Sequence, residues 1–249
     1  MIKFENVSVA GFAPAIRGAR NPKNSWDKSD SHIGMSGDEW SIDPGFIIGP
    51  KDKELLTMLA RGGSVHAKYR RQIVVWVDIT APLYWWKEFD TYKVGTVSDS
   101  CSTMHKIHSR DLTLEDFSYE HLKSEERDHL VCTIAMINAN RRIFISEGDK
   151  DNWWQLIQLL PSSYNQMRTI MLNYEVLAAM YRDRRFHKLD EWRVLCKLAE
   201  SLPYSWIFTT PEATGLTYEQ VLEWIKNNCW EFTGEQVRAI DRTIEENWR

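Results

Sequence analysis

Cysteine is scarce in this chain and thinly spread. The four cysteines, Cys101, Cys132, Cys196 and Cys229, lie far apart and form no CxxC pair. Zinc sites and disulfide frameworks both depend on closely spaced or numerous cysteines. The sequence therefore predicts free thiols, no metal site, and a reducing, cytoplasmic compartment.

Long apolar runs and a strong excess of one charge are also missing. The N-terminal segment has no unbroken hydrophobic stretch, and no later run approaches the length that spans a bilayer. The net charge of −4 contrasts with the basic character of general nucleic-acid-binding proteins. We expect neither membrane insertion nor general nucleic-acid binding.

Three common catalytic or cofactor motifs are absent as well. The sequence contains no GxSxG, no P-loop and no GxGxxG. These motifs mark the nucleophile of many hydrolases, the phosphate loop of many nucleotide triphosphatases and the dinucleotide turn of Rossmann folds. The chain therefore offers no signal for those three classes.

Tryptophan, by contrast, is abundant. The 249 residues include twelve tryptophans, and 43% of the residues are hydrophobic and 27% charged. That balance is typical of a folded globular protein, and the length allows one large domain or one domain with an appendage. The tryptophans either fill the core or provide stacking surfaces for planar ligands.

The first half of the chain predicts a few strands and helices. Residues 3–10 alternate as a strand does, and residues 18–44 are polar and rich in turn-forming residues, which indicates a long loop. Residues 51–61 predict a short helix that ends at Gly62-Gly63. The β-branched segment 73–79 is the strongest strand signal, and a helix is expected to begin after Pro82.

The second half is predicted to be helical. Helices are expected over residues 114–122, 127–143, 167–184 and 189–201, and over a segment capped by Asp149 or Asp151 that runs to residue 160. Capping-box-like starts predict two tail helices, at residues 218–228 and 235–248. The sequence therefore predicts an α+β fold, mostly helical with a small antiparallel sheet, with a domain over residues 1–204 and a C-terminal helical extension over residues 205–249.

One stretch carries a recognisable spacing of polar residues. Residues 82–104 read PLYWWKEFDTYKVGTVSDSCSTM, which is similar to the helix-and-loop motif RHRxxSxNExSxR of flavin-dependent thymidylate synthases. The defined positions of that motif are filled here, in order, by Thr91-Tyr92-Lys93, Thr96, Ser98-Asp99, Cys101 and Thr103. The spacing and polarity of the motif are kept, whereas most of its anion-binding arginines are replaced.

The order of elements around this stretch resembles the same family. The family has a helix, a His-containing turn, a strand, an Ala-Pro step, the motif helix and the motif loop. The matching parts of this chain are residues 54–61, His66, residues 73–79, Ala81-Pro82, residues 83–93 and residues 94–104. The turn GSVHAKYRRQ resembles the family's flavin-contacting HxxPFEH but lacks its Pro, Phe, Glu and second His.

A second segment extends the resemblance to about residue 203. The stretch LLPSSYNQMRTIMLNYEVLAAMYRDRR resembles the family's Leu-Pro segment and the long helix that follows it. In this register Asn173 stands at the flavin-binding Asn and Arg184 at the arginine that grips the nucleotide phosphate. Glu175 stands where the family has an arginine. The resemblance implies a flavin-dependent thymidylate synthase-like fold.

The resemblance also implies a chemistry. In the family, flavin is reduced by a nicotinamide cofactor, methylenetetrahydrofolate supplies a one-carbon unit, and a hydride passes from flavin to the deoxyuridylate ring. We therefore expect a pyrimidine nucleotide of the dUMP type and FAD as ligands, with methylenetetrahydrofolate and NADPH only if the family reaction is kept. The candidate residues are Cys101 as the catalytic group, His66, Tyr92, Lys93 and Asn173 for the cofactor, and Glu88, Asp99 and Arg184 for the substrate.

Cys101 admits two interpretations. It stands at the serine that lies beside the pyrimidine ring in the family, where a thiol with a lowered pKa would add to the ring as a nucleophile. It would otherwise be a small thiol that fills a loop. The lost arginines raise a related question. Lys68, Arg70 and Arg71 either supply phosphate contacts from a neighbouring wall or are solvated surface charges.

The resemblance further implies a homotetramer whose sites are shared between chains, and the altered motif and added tail suggest a phage or mobile-element source. Two alternatives remain open. The chain would be a nucleotide-binding protein without turnover, such as a sponge or regulator, if it keeps the nucleotide pocket of the family but not the catalytic activity. It would be a helical protein-interaction module, using apolar faces in residues 217–248, if the resemblance is accidental.

Overall fold

The computed structural model describes residues 2–34 and 45–209. The helices in these ranges are α1 (Phe12–Arg20), α2 (Pro50–Arg61), α3 (Leu83–Phe89), α4 (Thr103–Lys106), α5 (Ser124–Glu147), α6 (Lys150–Gln158), α7 (Tyr174–Arg184), α8 (Asp190–Ser201) and α9 (Trp206–Thr209). The strands are β1 (Lys3–Ala10), β2 (His32–Ile33), β3 (Phe46–Ile47), β4 (Val74–Pro82), β5 (Thr96–Ser100) and β6 (Asn165–Asn173). The predicted α+β class, mostly helical with a small antiparallel sheet, is confirmed. No helix within the described ranges is both long and apolar enough to cross a bilayer.

A four-stranded antiparallel sheet in the order β1-β4-β6-β5 is the centre of the fold. The alternation of β4 explains its two faces, since Val75, Val77 and Ile79 are buried while Trp76 is exposed. The buried face of the sheet packs in one core with residues of α3, α7 and α8. The prediction of a strong strand in this segment is confirmed, and this face positions the site.

The predicted loop at residues 18–44 overlaps a helix that the sequence did not reveal. α1 begins at Phe12 and continues to Arg20. It follows Gly11, which has a φ of 105° and a carbonyl neighbour so close that a Cβ atom would lie 2.0 Å from the Gln72 oxygen. Only glycine fits that turn, and it lets the chain leave β1 and enter α1 at once. Residues 35–44 of the predicted loop lie outside the described residues.

The predicted helix over residues 167–184 is wrong in its first part. Asn165–Asn173 is strand β6, which pairs with β4 along its whole length and with β5 on its other side. A central position between two strands overrides a weak helical pattern, because the neighbours satisfy the backbone groups of β6 on both edges. The helix proper, α7, begins only at Tyr174.

Two other predictions need correction, and a third concerns residues outside the described ranges. The predicted helix at residues 114–122 is a single 3₁₀ turn at Leu114–Asp116, followed by extended chain in which Phe117 bridges to Tyr164. The motif helix ends at Phe89 rather than at residue 93, and much of the expected motif loop is strand β5. The tail helices predicted at residues 218–228 and 235–248 lie outside the described residues.

A smaller second core lies beneath a helical hairpin. α5 and α6 pack together over a cluster that includes Ile134, Ile137 and Leu156. Asp149 begins α6, because its side chain accepts a hydrogen bond from the Asp151 backbone N–H at 3.0 Å. The predicted cap at this position is confirmed, and the hairpin stands apart from the core that holds the sheet.

Candidate functional site

Buried aromatic rings form a wall beneath the predicted site. Trp85 and Phe89 lie one turn apart on α3, and both are buried. The Trp192 ring, from α8, lies 4.9 Å from Trp85 and stacks on Phe89 at 6.4 Å with an interplanar angle of 15°. These tryptophans belong to the core, as helical aromatics usually do. Their packing fixes the position of α3 relative to α8.

A short polar contact also ties α3 to α8. The Tyr84 hydroxyl donates to the Glu191 carboxylate, and burial together with this carboxylate raises the pKa of Tyr84 above its usual range. A phenol that stays protonated keeps donating at every ordinary pH. The contact holds the start of α8, and therefore Trp192, against α3.

Arg184, at the end of α7, is the centre of a polar cluster on this wall. Its Nη1 donates to the Glu88 Oε2 atom at 3.0 Å, and its Nε donates to the Tyr92 hydroxyl oxygen at 2.9 Å. Its guanidinium carbon lies 4.7 Å from the centre of the Trp192 ring, within cation–π range. Two regions that are distant in sequence, residues 88–92 and residues 184–192, therefore meet at Arg184.

Glu88 has further partners besides Arg184. Its Oε2 accepts a hydrogen bond from Trp192 Nε1 at 2.8 Å and lies 3.6 Å from His187 Nε2. The Glu88 and Arg184 side chains are 33% and 21% exposed. A pair that is this sheltered is screened less by salt than a surface pair. The predicted substrate residues Glu88 and Arg184 are thus in direct contact.

A cleft of about 390 Å³ opens beside this cluster, between the end of α3 and the edge strand β5. It is lined by Phe89, Asp90, Tyr92, Lys93, Thr96 and Ser98. The lining combines two aromatic rings, a carboxylate, a lysine, and the hydroxyl side chains of a threonine and a serine. The buried Thr96 Oγ1 has no hydrogen-bond partner among residues 2–34 and 45–209. The cleft therefore offers stacking, charge and hydrogen bonds to a polar planar ligand.

Asn173 lies at the junction of β6 and α7, next to the cleft. Its Oδ1 caps α7 by accepting from the backbone N–H groups of Glu175 and Val176, both at 3.1 Å. Its Nδ2 faces Gly95, which has a φ of 80° and where a Cβ atom would lie 2.6 Å from that nitrogen. Asn173 thus places its amide beneath the turn that joins Lys93 to Thr96.

Arg168 borders the cleft and was missed by the sequence reasoning. Its Nη1 donates to Asp90 Oδ1 at 2.8 Å, and its guanidinium carbon lies 4.2 Å from the Trp86 ring centre. Because residues 167–184 were expected to be one helix, Arg168 was not considered beside Asp90. The signal was the alternation of Arg168 with Ile170 and Leu172, which places all three on the buried face of a strand.

The remaining predicted site residues lie elsewhere in this chain. Asp99 pairs with Thr169 in the sheet and alternates with Ser98, so it faces the opposite side of the sheet from the cleft. Cys101 is exposed and lines a separate depression of about 150 Å³ that also includes Tyr164. His66 is exposed and lies against Gly62, at the end of α2. One chain therefore does not bring these three into the cleft.

Three cations near His66 were candidates to replace the motif arginines, and one of them is buried while the other two are exposed. Arg70 is buried, donates from Nε to the Ile207 carbonyl at 2.8 Å and lies 3.7 Å from the Glu175 carboxylate. Lys68 and Arg71 are exposed. Arg70 is thus a structural residue rather than a phosphate contact, and Glu175 lies beside its guanidinium.

Comparison with known proteins gives a match in structure but not in sequence. No protein-family model matches the sequence, and no curated protein matches it. The flavin-dependent thymidylate synthase ThyX from Helicobacter pylori, complexed with FAD and dUMP, superposes with a TM-score of 0.58 at 16% identity, covering 84% of this chain and 100% of that chain. The UMP/dUMP methylase PolB from Streptomyces cacaoi, bound with 5-Br dUMP, gives 0.53 at 13% identity, covering 84% and 94%.

At such low identity the likeness concerns the fold. It agrees with the order of elements and the motif spacing in the sequence. The resemblance is therefore not accidental at the level of the fold. The chain has the fold of the flavin-dependent thymidylate synthases, at low sequence identity.

Proposed function

We propose that this protein binds a pyrimidine nucleotide of the dUMP type, together with FAD, at the cleft between α3, β5 and α7. The observation that supports this most directly is the meeting of Arg184, Tyr92 and Glu88 beside that cleft. Arg184 comes from α7, whereas Glu88 and Tyr92 belong to residues 83–93, and all three are candidates from the resemblance. Where activity is retained, the reaction is methyl and hydride transfer to the pyrimidine ring.

Each residue of the cleft has a role in this proposal. Lys93 lies toward the phosphate end of the nucleotide, because a cation attracts phosphate oxygens, and Arg184 binds Glu88 and Tyr92 beside the cleft. Tyr92 orients a ring, and Asn173 offers its Nδ2 to the flavin. Bound FAD would supply the hydride chemistry, while the protein positions the two rings and excludes water from between them.

We further propose that the site is shared between chains in a homotetramer. The cleft is open, and the candidates Asp99, Cys101 and His66 lie outside it in their own chain. In an assembly these three would face the Arg184 cluster of a neighbouring chain. This arrangement would bring all the candidate site residues together in one site. We also propose that the assembly is cytoplasmic.

The first test uses the purified protein without added ligand, followed by FAD and dUMP. We expect visible flavin absorbance, either as isolated or after FAD is added and the excess is removed, and heat of binding when dUMP is titrated in. Deoxyguanosine monophosphate is the control, since it carries the same phosphate with a purine base. Failure to bind dUMP, both with and without FAD, would exclude the proposal.

A second candidate function is nucleotide binding without turnover. The arginines beside the cleft are bonded to carboxylates of the same chain, and Thr91 and Thr103 stand at two arginine positions of the motif. These features favour a site that still binds a nucleotide but has lost positive charge that the reaction of the family uses. A protein that binds dUMP but forms no product with methylenetetrahydrofolate, NADPH and FAD would support this candidate.

A further inference from the structure

Arg184 is already occupied by an anion from its own chain. Its Nη1 and Nε donate to the Glu88 carboxylate and the Tyr92 hydroxyl, and the guanidinium face packs on Trp192. A phosphate that approaches this guanidinium would come close to the Glu88 oxygens. Two like charges at such a distance repel strongly in a sheltered site. Arg184 therefore attracts a phosphate much less strongly than an unpaired arginine would.

Glu88 is also held where it is. The fully buried Trp192 donates its Nε1–H to Glu88 Oε2 at 2.8 Å. If Glu88 swung aside to admit a phosphate, this indole N–H would lose its acceptor inside the core, which is costly. The carboxylate is thus a fixed part of the wall rather than a mobile side chain.

The other flank of the cleft repeats the arrangement. Asp90 lines the cleft and accepts from Arg168 Nη1 at 2.8 Å. Lys93 is the lining cation for which no ion pair is present within the described ranges. Because Arg168 and Arg184 are each paired with a carboxylate, Lys93 alone among the described residues beside the cleft is left as an unpaired positive charge, and it is exposed. One exposed lysine adds little to the binding of a terminal phosphate, which carries close to two negative charges at neutral pH.

Building on the proposed function, we propose that Glu88 sets the ligand class of this cleft. The site recognises the pyrimidine nucleoside unit, and a terminal 5′-phosphate adds little to its affinity. The preferred class therefore includes nucleosides, or nucleotides whose phosphate is directed to solvent. Glu88 is a specificity-determining residue in this account, because it cancels the charge of Arg184 that a phosphate would otherwise use.

The test compares deoxyuridine with dUMP by titration calorimetry, in the presence of FAD. For the wild-type protein we expect dissociation constants within about threefold of each other. In Glu88→Gln, the carboxylate charge is lost while an oxygen remains to accept from Trp192 Nε1. We expect dUMP to bind this variant about tenfold or more tighter than deoxyuridine, as a regained charge-assisted contact requires.

Glu200→Gln is the matched control. Glu200 is exposed on α8 and its carboxylate accepts from the Tyr181 hydroxyl, so the variant removes the same formal charge without touching Arg184. We expect this variant to keep the wild-type ratio of the two constants. An equal rise of the ratio in both variants would mean that net charge, not Glu88, controls phosphate binding, and would overturn the inference.

Two further results separate this inference from the proposed function. If wild-type protein binds dUMP tenfold or more tighter than deoxyuridine, Glu88 does not suppress the phosphate contact, and the inference fails while the proposed function stands. If neither compound binds the wild-type protein or Glu88→Gln, the proposed function fails and the inference with it. If Glu88→Gln does not fold, the ratio of the deoxyuridine and dUMP dissociation constants of the wild-type protein tests the inference by itself.

Discussion

At the scale of single residues, Asp52 is the most heavily bonded carboxylate of the described chain. It is fully buried and accepts from Arg20 Nε at 2.6 Å, from Ser29 Oγ at 2.7 Å and from Ser31 Oγ at 2.6 Å. Burial alone would raise the pKa of Asp52, but the hydrogen bonds of Ser31, Ser29 and Arg20 outweigh it and lower the pKa below its ordinary value. Asp52 therefore holds the segment after α1 against α2.

This lowered pKa makes stability depend on pH. The ionised form of Asp52 stabilises the folded state above the unfolded pKa of about 3.9, and this contribution is lost as the pH falls through the lower, folded pKa. We expect Asp52→Asn to reduce the free energy of unfolding at pH 7 by about 3 kcal/mol, because it leaves Arg20 buried without its charge partner. The variant should also show a flatter pH dependence on the acid side.

Urea unfolding at pH 7 and across the acid range measures both effects. Asp27→Asn is the control, because Asp27 is an exposed aspartate in the segment after α1 that Asp52 contacts through Ser29 and Ser31. Equal unfolding midpoints for Asp52→Asn and wild type would show that the buried cluster contributes no net stability.

Cys101 allows a second test at this scale. Cys101 and Cys132 are exposed, whereas Cys196 is buried and its burial raises its pKa to about 11. We expect iodoacetamide to label the two exposed thiols first, because thiolate content and access control the rate. If Cys101 faces the nucleotide site of a neighbouring chain, dUMP should slow labelling of Cys101 and leave Cys132 unchanged. Peptide mass spectrometry gives both rates, and an unprotected Cys101 would place its thiol outside the site.

At the scale of secondary structure, the junction of β6 with α7 combines stability with binding. Asn173 Oδ1 caps α7 while Nδ2 faces Gly95 beside the cleft. We expect Asn173→Ala to cost about 1 kcal/mol of stability through the lost cap. Asn173→Asp keeps an acceptor for the cap and adds a charge that the helix N-terminus favours, so its stability should stay near that of wild type.

The two variants therefore separate the role of Asn173 in capping α7 from its role in binding FAD. Asn173→Asp replaces the amide donor with a carboxylate, and we expect it to lose FAD binding despite normal thermal unfolding. Fluorescence titration with FAD and a thermal melt of the same sample give the comparison. Wild-type FAD affinity in Asn173→Asp would remove Asn173 from the cofactor site.

The same elements show how far sequence reasoning reached. The β-branched β4 and the helix with its glycine stop at Gly62 are local patterns, and they predicted their structures. The motif spacing predicted the fold, but it did not predict the end of α3 at Phe89 or strand β5. β6 is different, because its own alternation is a weak strand signal and the pairing with β4 and β5 decides that the segment is a strand. The error at β6 concealed Arg168 and with it the second arginine–carboxylate pair. α1 was missed for a similar reason, since the turn at Gly11 depends on its contact with Gln72.

At the scale of the whole molecule, the account depends on assembly. The four-stranded sheet is covered by helices on one face, and on the other face Trp76 and Val97 are exposed in one cross-strand row, on either side of Met171. We expect a homotetramer with four times the chain mass of 29.3 kDa, because the proposed site needs groups from more than one chain. Sedimentation equilibrium over a range of concentrations measures this, and a stable monomer that still binds dUMP would contradict shared sites.

The central claim is that the cleft beside Arg184 receives a pyrimidine ring. The most direct measurement is a crystal structure of the full-length protein with FAD and 5-bromo-dUMP, using the anomalous signal of bromine to locate the base. The account predicts a bromine peak in the cleft lined by Tyr92, Thr96 and Ser98, with the 5′ end of the nucleotide toward Lys93. A bromine peak elsewhere on the molecule, with this cleft empty at saturating ligand, would contradict it.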